Sequence, residues 1–254
     1  MGTKTEQGVS QEEEWDRLLR SIVSFQARFG RHPVVGGTAA AIHVGHRLSF
    51  DADYVLGDLR EKYEEVLDSL EGDARWTTAR TAFGKLILGS FDDVETGLRQ
   101  LRRTAPLETT EVETGKGRVV IPTLEEMIRI KGWLILVRNT VRDHLDFAAL
   151  TDAAGEDRTL AALGRFDDCY RDVDVKGLPR GTSPVLQLAR QLSQPEPKDL
   201  PGMDLSQYKG VSHPWNEWGS VATQCRMVCR WMRTLVVPNT QRVEPDDDGG
   251  FHLN

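Results

Sequence analysis

Cysteine is scarce in this chain: Cys169, Cys225 and Cys229 are the whole complement. That is too few for a disulfide framework. Cys225 and Cys229 lie four apart on an expected helix with no second ligand pair beside them, so they read as half-buried thiols rather than a zinc site. Long apolar runs are missing too, and none approaches the ~18 residues of a membrane span. The opening segment, "MGTKTEQGVSQEEEWDR", has no basic-then-apolar patterning of the secretory kind. The expectation is a cytoplasmic protein with no membrane association. Positive charge is short as well. The net charge of −7 excludes a protein that coats nucleic acid through a general basic surface. Finally, "GGTAAAIH" lacks the Gly-Lys-Ser/Thr ending of a Walker motif.

The composition that remains suits a globular fold. The chain has 254 residues, 39% of them hydrophobic and 28% charged. The stretch 13–30 carries Trp15, Leu18, Leu19, Ile22, Val23 and Phe25 at helical spacing, and Gly30 ends it. "HPVV" reads as a short strand, "TAAAIHVGH" as a helix starting at Thr38, and "LSFDADYVL" as a strand. "GDLREKYEEVLDSLEG" predicts an amphipathic helix. "KLILGSF" and "VETGLRQL" predict a hairpin around Asp92-Asp93, and "LETTEVET" with "GRVVIP" a second one around 115–117. After Pro122 the pattern turns helical. Thr123 and Glu126 are spaced as a capping box, and further helices are expected over "DRTLAALGRFDDCYRDV", "SPVLQLARQLSQ" and "EWGSVATQCRMVCRWMRTL". The layout is α+β: a mixed α/β part over 1–122, an all-helical part over 123–237, and a tail over 238–254 expected to be disordered.

Three features could carry chemistry. In "PVVGGTAAAIHVGHRLSFDADYVL", Gly36-Gly37 would end a strand and open a helix, exposing backbone N–H groups as an anion site, with the Thr38 hydroxyl as a further donor. A tight turn with Thr38 as N-cap would look the same. Asp51 and Asp53 alternate on a strand and so share a face at about 7 Å, a spacing that can hold two Mg²⁺ ions. A solvent-facing strand is the plain alternative. On "KGWLILVRNTVRDHLD", Lys131, Arg138 and Arg142 fall within about 20° of one line at about 100° per residue. A row of cations on a buried helix demands anions, either protein carboxylates, such as Asp146 for Arg142, or a bound nucleotide. Between Arg99 and Arg142, nine Lys/Arg face five Glu, a local anion-facing patch at most.

Taken in order, these motifs resemble the AbiEii/AbiGii toxin family of minimal nucleotidyltransferases, a branch of the polymerase-β-like superfamily that includes MenT-like toxins. The matching residues are Gly36, Gly37 and Thr38; Arg47, Ser49, Asp51 and Asp53; and Lys131, Arg138, Arg142 and Asp143. The resemblance covers roughly residues 30–150. It implies a nucleotidyltransferase core whose active site the helical part completes. Asp51 and Asp53 would hold Mg²⁺, with Glu95 as a third carboxylate on a neighbouring strand. Gly36, Gly37, Thr38, Arg47, Ser49, Lys131 and Arg138 would bind the NTP donor. Asp143 would bind nucleotide, act on the attacking group, or pair with Arg47 or Arg138. The implied acceptor is RNA, at the 3′ end of tRNA, and the implied role is the toxin of a toxin–antitoxin or phage-defence system with a cognate antitoxin. A small-molecule or protein acceptor, or a non-catalytic NTP-binding module, is the alternative.

Overall fold

The computed structural model describes residues 10–171, 173 and 182–236. The expected tail over 238–254 lies outside them. Helix α1 (Gln11–Phe29) opens on a capping box in which the Ser10 hydroxyl accepts from the Glu13 N–H and the Glu13 carboxylate accepts from the Ser10 N–H. Its apolar face buries Leu18, Ile22 and Phe25, and Gly30 at φ 102° lets the chain leave.

A four-stranded mixed sheet forms from β1 (Ala52–Leu56), β2 (Trp76–Ala82), β3 (Leu86–Phe91) and β4 (Val94–Gln100), in the order β1-β4-β3-β2. Strand β1 runs parallel to β4; the other pairs are antiparallel. The alternation read from the sequence sorts the two faces. Tyr54, Leu56, Ile87, Phe91 and Leu98 are buried on one face, and the Phe25 ring of α1 stacks on Tyr54 at 4.3 Å. The other face carries Asp53, Val55, Leu86, Leu88 and Arg99, all partly exposed. Asp92 and Asp93 turn the β3–β4 hairpin at φ 50° and 60°. That is the left-handed pair a two-residue hairpin loop requires. Strand β2 goes beyond the sequence reading. "WTTARTA" has no apolar alternation, and only its pairing with β3 makes it a strand.

Helix α2 (Gly36–Val44) precedes β1, and α3 (Tyr63–Glu71) follows it. A two-stranded hairpin, β5 (Thr109–Thr114) and β6 (Gly117–Pro122), leads into α4 (Leu124–Val137), α5 (Val141–Gly164), α6 (Phe166–Tyr170), α7 (Pro184–Ser193), α8 (Trp218–Trp231) and the short α9 (Arg233–Val236). Four expectations need correction. "LSFDADYVL" is a strand only over Ala52–Leu56, so Asp51 precedes the strand that carries Asp53. "HPVV" is not a full strand; only Val34 bridges to Tyr54. Helix α2 begins at Gly36, two residues before Thr38. Of the one or two helices the sequence allows over 123–153, two form, and the wheel drawn through Lys131, Arg138 and Arg142 runs across both. Asn139 sits at φ 52°, and Thr140 caps the N-terminus of α5. One helical wheel therefore does not align the three cations.

Candidate active site

Val35 donates its N–H to the Asp53 carbonyl at 2.8 Å, so the segment before α2 runs beside β1. Gly36 then turns at φ 77°. That conformation favours glycine. No side chain caps α2, which leaves the first N–H groups of the helix to face outward partners. At Gly37 an added Cβ would lie 2.5 Å from Arg47 Nη2, 2.6 Å from Arg142 Nη2 and 2.7 Å from Ser49 Oγ. The turn and two guanidinium groups thus press against one another with no room for a methyl. Gly37→Ala is expected to cost about 1–3 kcal/mol through overpacking, read as a lowered urea midpoint. Thr38 is not the N-cap. It is fully buried, and its hydroxyl donates to the Asp51 carbonyl at 2.6 Å, which ties α2 to the segment entering β1.

Asp51 sits just before β1. Its Oδ1 accepts from Ser49 Oγ at 2.5 Å and lies 3.6 Å from Arg142 Nη2, which also donates to Ser49 Oγ at 2.9 Å. Asp53, on β1, accepts from Arg99 Nε at 3.1 Å. The register sets Asp53 opposite Gly97 of β4, where a side chain would strike the Asp53 carboxylate. Asp51 lies before the first pair of that ladder, Ala52 with Thr96, and it lines one cleft together with Glu95. By strand parity Asp53 and Glu95 share a face of the sheet. An open cleft of about 510 Å³ runs along the Asp51 side, lined by Glu14, Arg17, Phe50, Asp93, Glu95 and Arg142. Among the described residues no three acidic, His or Cys side chains already converge as a metal centre. The donors nonetheless suit Mg²⁺. They are hard oxygens, and the Oδ2 atoms of Asp51 and Asp53 carry no hydrogen bond among the described residues.

Behind this surface lies a closed ion cluster. Asp146 of α5 is fully buried. It accepts two bonds from Arg47, Nε at 2.7 Å and Nη2 at 2.9 Å, contacts His46 Nε2 at 2.8 Å, and pairs with Lys131 Nζ at 2.6 Å. Lys131 and Asp143 are 2% and 3% exposed and 3.7 Å apart. Thr140 Oγ1 also donates to Asp143. Burial pushes the Asp146 carboxyl up, but Lys131 and Arg47 outweigh it and hold the group well below the usual carboxylate range. Burial likewise opposes charge on Arg47, and Asp146 overrides it, raising the guanidinium.

The expected residues therefore fall into layers. Gly36, Gly37, Ser49, Asp51 and Asp53 meet at the surface turn and sheet face, with Thr38 buried beneath them and Glu95 on the cleft rim. Arg47 links that turn to Lys131 and Asp143, which lie inside and do not face the cleft. Arg138 ends α4, exposed and without an ion pair among the described residues. The Arg142–Asp146 pairing does not form, because Arg142 turns to Ser49 while Asp146 turns inward. The local basic patch also disperses. Arg103 and Arg129 pair with Glu126, Lys116 with Asp16, and Arg118 with Glu113. Glu126, committed to those arginines, forms only half of the expected capping box: its N–H still donates to Thr123.

No protein-family model matches the sequence. Over 137 residues it is 31% identical to the mycolic acid-containing lipids exporter MmpL11 of Mycolicibacterium smegmatis, covering 54% of this chain and 14% of that protein. Over 108 residues it is 38% identical to the heme uptake protein MmpL11 of Mycobacterium tuberculosis, covering 41% of this chain and 11% of that protein. The chain thus spans 14% or less of the length of the curated relatives it matches. Among solved structures, it superposes over 89% of its length on a candidate nucleotidyltransferase from H. pylori, with a TM-score of 0.51, 15% identity and 96% of that chain covered. The fold is nucleotidyltransferase-like. No helix among the described residues is long and apolar enough to cross a membrane.

Within this nucleotidyltransferase-like fold, four residues have roles that sequence reasoning misses. Asp146 reads there only as a partner for Arg142, although its spacing after Asp143 carries the signal: i, i+3 on a helix puts both acids on one side. Arg99 shares a face with Glu95 by strand parity, but its bond to Asp53 needs the parallel β1–β4 register. The placing of Arg142 over Ser49 needs the break after α4. Nothing in the sequence marks His46.

Proposed function

We propose that the protein is a Mg²⁺-dependent nucleotidyltransferase that moves NMP from an NTP to an acceptor hydroxyl. The observation that carries this reading is the apposition of the Gly36-Gly37 turn, Arg47, Arg142 and Ser49 to Asp51 and Asp53. Asp51 and Asp53 would hold Mg²⁺, with Glu95, which lines the same cleft as Asp51, as the third carboxylate. Bound there, the metal supplies charge neutralisation for the triphosphate and a more acidic acceptor hydroxyl. The chain's own contribution is positioning. The uncapped N–H groups of α2 and the half-exposed Arg142 bind β- and γ-phosphate oxygens. Ser49 orients the Asp51 carboxylate by donating to it. Arg47, Lys131 and Asp143 act on the donor site from behind, because Asp146 fixes Arg47 against Gly37. Thr38 helps hold the phosphate-side architecture from beneath through its bond to the Asp51 carbonyl, and Arg138, exposed at the end of α4, is left as a further cation for the NTP.

The proposed acceptor is an RNA 3′ hydroxyl, tRNA first, with the protein serving as the toxin of a toxin–antitoxin or phage-defence pair held in check by a cognate antitoxin. The motif resemblance over residues 30–150 supports this part. A second reading has its own observation. The cleft beside Asp51 carries Glu14, Asp93 and Glu95, a lining that suits a small cationic acceptor. Incubation with each α-labelled NTP, total RNA and Mg²⁺ separates the two. Label is expected in a tRNA-sized band with one preferred NTP. Label only in small molecules moves the acceptor to the second reading, and no labelled product at all overturns transfer.

A further inference from the structure

The cross-strand registers lay out the exposed sheet face in rows. Asp53, Gly97, Leu88 and Arg80 form one row across all four strands, and Val55, Arg99, Leu86 and Ala82 form the next. The floor between the candidate carboxylates and the far edge is thus apolar, with Arg99 and Arg80 standing on it. The rows lead to the β2–β3 hairpin tip. There Phe83 is 69% exposed, the only large apolar side chain so exposed among the described residues. Its ring packs tilted against that of Tyr63, with centroids 5.0 Å apart. Arg60 packs over the tip, its Cγ 3.1 Å from where a Gly84 side chain would begin. Arg60 N–H also donates to Gln100, whose own N–H donates to the Lys85 carbonyl. Arg60, Arg80, Lys85 and Arg102 are all exposed and have no ion pair among the described residues, whereas neighbouring Lys62 is taken by Asp58.

Unpaired cations around an exposed aromatic, in a chain of net charge −7, form the complement of a single nucleic-acid strand. The cations meet phosphates and the ring takes a base by stacking. We infer that the β2–β3 hairpin tip and the sheet face behind it are a docking track for the single-stranded 3′ end of an RNA, whose terminal hydroxyl reaches Asp51 and Asp53. This rests on the transfer reading above. With strands about 4.8 Å apart and residues about 3.4 Å along, Phe83 lies roughly 15 Å from Asp53. At about 3.4 Å per stacked nucleotide, the base on Phe83 is the fourth or fifth from the end.

The test uses full-length protein and fluorescein-labelled single-stranded RNA of roughly twelve nucleotides, a length within the usual site size. Anisotropy is measured without NTP across a salt series. Arg80→Glu with Lys85→Glu should weaken binding at least about tenfold and lower the salt slope by about 1.4, at about 0.7 per lost phosphate contact. Phe83→Ala should weaken it about fivefold or more, and Phe83→Trp should restore it. A two-nucleotide RNA, too short to reach the tip, should bind alike to all variants. NTP affinity and the unfolding midpoint should not move. Unchanged affinity and salt slope in the charge-reversed variant overturn the track, as does a parent protein that binds no RNA. A dimer that Phe83→Ala disperses also overturns it, by showing the tip to be a contact between copies. Phe83-dependent binding without transfer to the RNA leaves the track standing and removes the transfer reading. Transfer at the parental rate by all variants does the reverse.

Discussion

Replacing Asp51 and Asp53 together by asparagine is expected to lower nucleotidyl transfer by about 10³-fold or more, to background, while the protein stays folded. The large effect follows from where the two carboxylates stand. Both are partly exposed, and each keeps one oxygen without a hydrogen bond among the described residues. Asparagine keeps the shape and one acceptor oxygen but removes the charge on which divalent-cation binding and triphosphate neutralisation depend. The structural cost is small because the partners are at the surface. Arg99 and Arg142 are each 42% exposed. Such pairs contribute on the order of 0–1 kcal/mol. Two measurements check this. Incorporation from the preferred α-labelled NTP should vanish in the double variant. Added Mg²⁺ with NTP should raise the unfolding temperature of the parent but not of the variant, since only a ligand bound by the folded state stabilises it. A double variant that still labels acceptor would remove Asp51 and Asp53 from the chemistry. A variant that unfolds early would instead make them structural.

The contrast between these acids and the buried cluster shows which parts of the site the sequence makes legible. Alternation is local. Asp53 on one side and Ala52 and Tyr54 on the other can be read directly, and the burial of β1 repeats that pattern, whereas before Ala52 the alternation stops: Ser49 is buried and Phe50 lines the cleft with Asp51. Glycine pairs and β-prone runs likewise mark α2 and three of the four sheet strands. The features that escape a sequence reading depend on distant partners. Strand β2 is fixed by the ladder β3 offers it, since its Trp and Thr residues are β-prone but show no apolar alternation. The α4–α5 break turns on Asn139 accepting φ 52° and on Thr140 capping the N-terminus of α5. A helical wheel over largely apolar residues passes straight through such a break. The sequence leaves Lys131 between ligand and ion network, because the long separation of Arg47 from Asp146 hides the network. Charge type alone does not tell whether a buried lysine meets a phosphate or a carboxylate.

Asp146 therefore carries the second large effect, on stability. Four charged groups sit together with almost no exposure: Arg47 and Lys131 against Asp146 and Asp143. Asp146→Ala strands Arg47 and Lys131 near a single remaining carboxylate that lies 3.7 Å from Lys131. Breaking a buried pair from one side costs about 3–5 kcal/mol. For a domain of this size, at roughly 2–4 °C per kcal/mol, that is a fall of about 6–20 °C in unfolding temperature. The pH dependence has a definite sign. Folding holds the Asp146 carboxyl well below its unfolded value near 4, so the unfolded chain takes up this proton more readily than the folded one. The Asp146 contribution is thus complete at pH values above about 4 and is lost as the pH falls from there through the folded value. The gap in urea midpoint between parent and Asp146→Ala should be constant from neutral pH to about pH 5 and narrow only in stronger acid. Because Asp146 also locks Arg47 against Gly37, the variant should lose NTP affinity along with stability, even at temperatures where it is fully folded. Parental stability in Asp146→Ala would show that the cluster does not hold the two helices and the phosphate-side turn together. Lost stability with parental NTP affinity would confine the cluster to folding and free the Gly36-Gly37 turn from it.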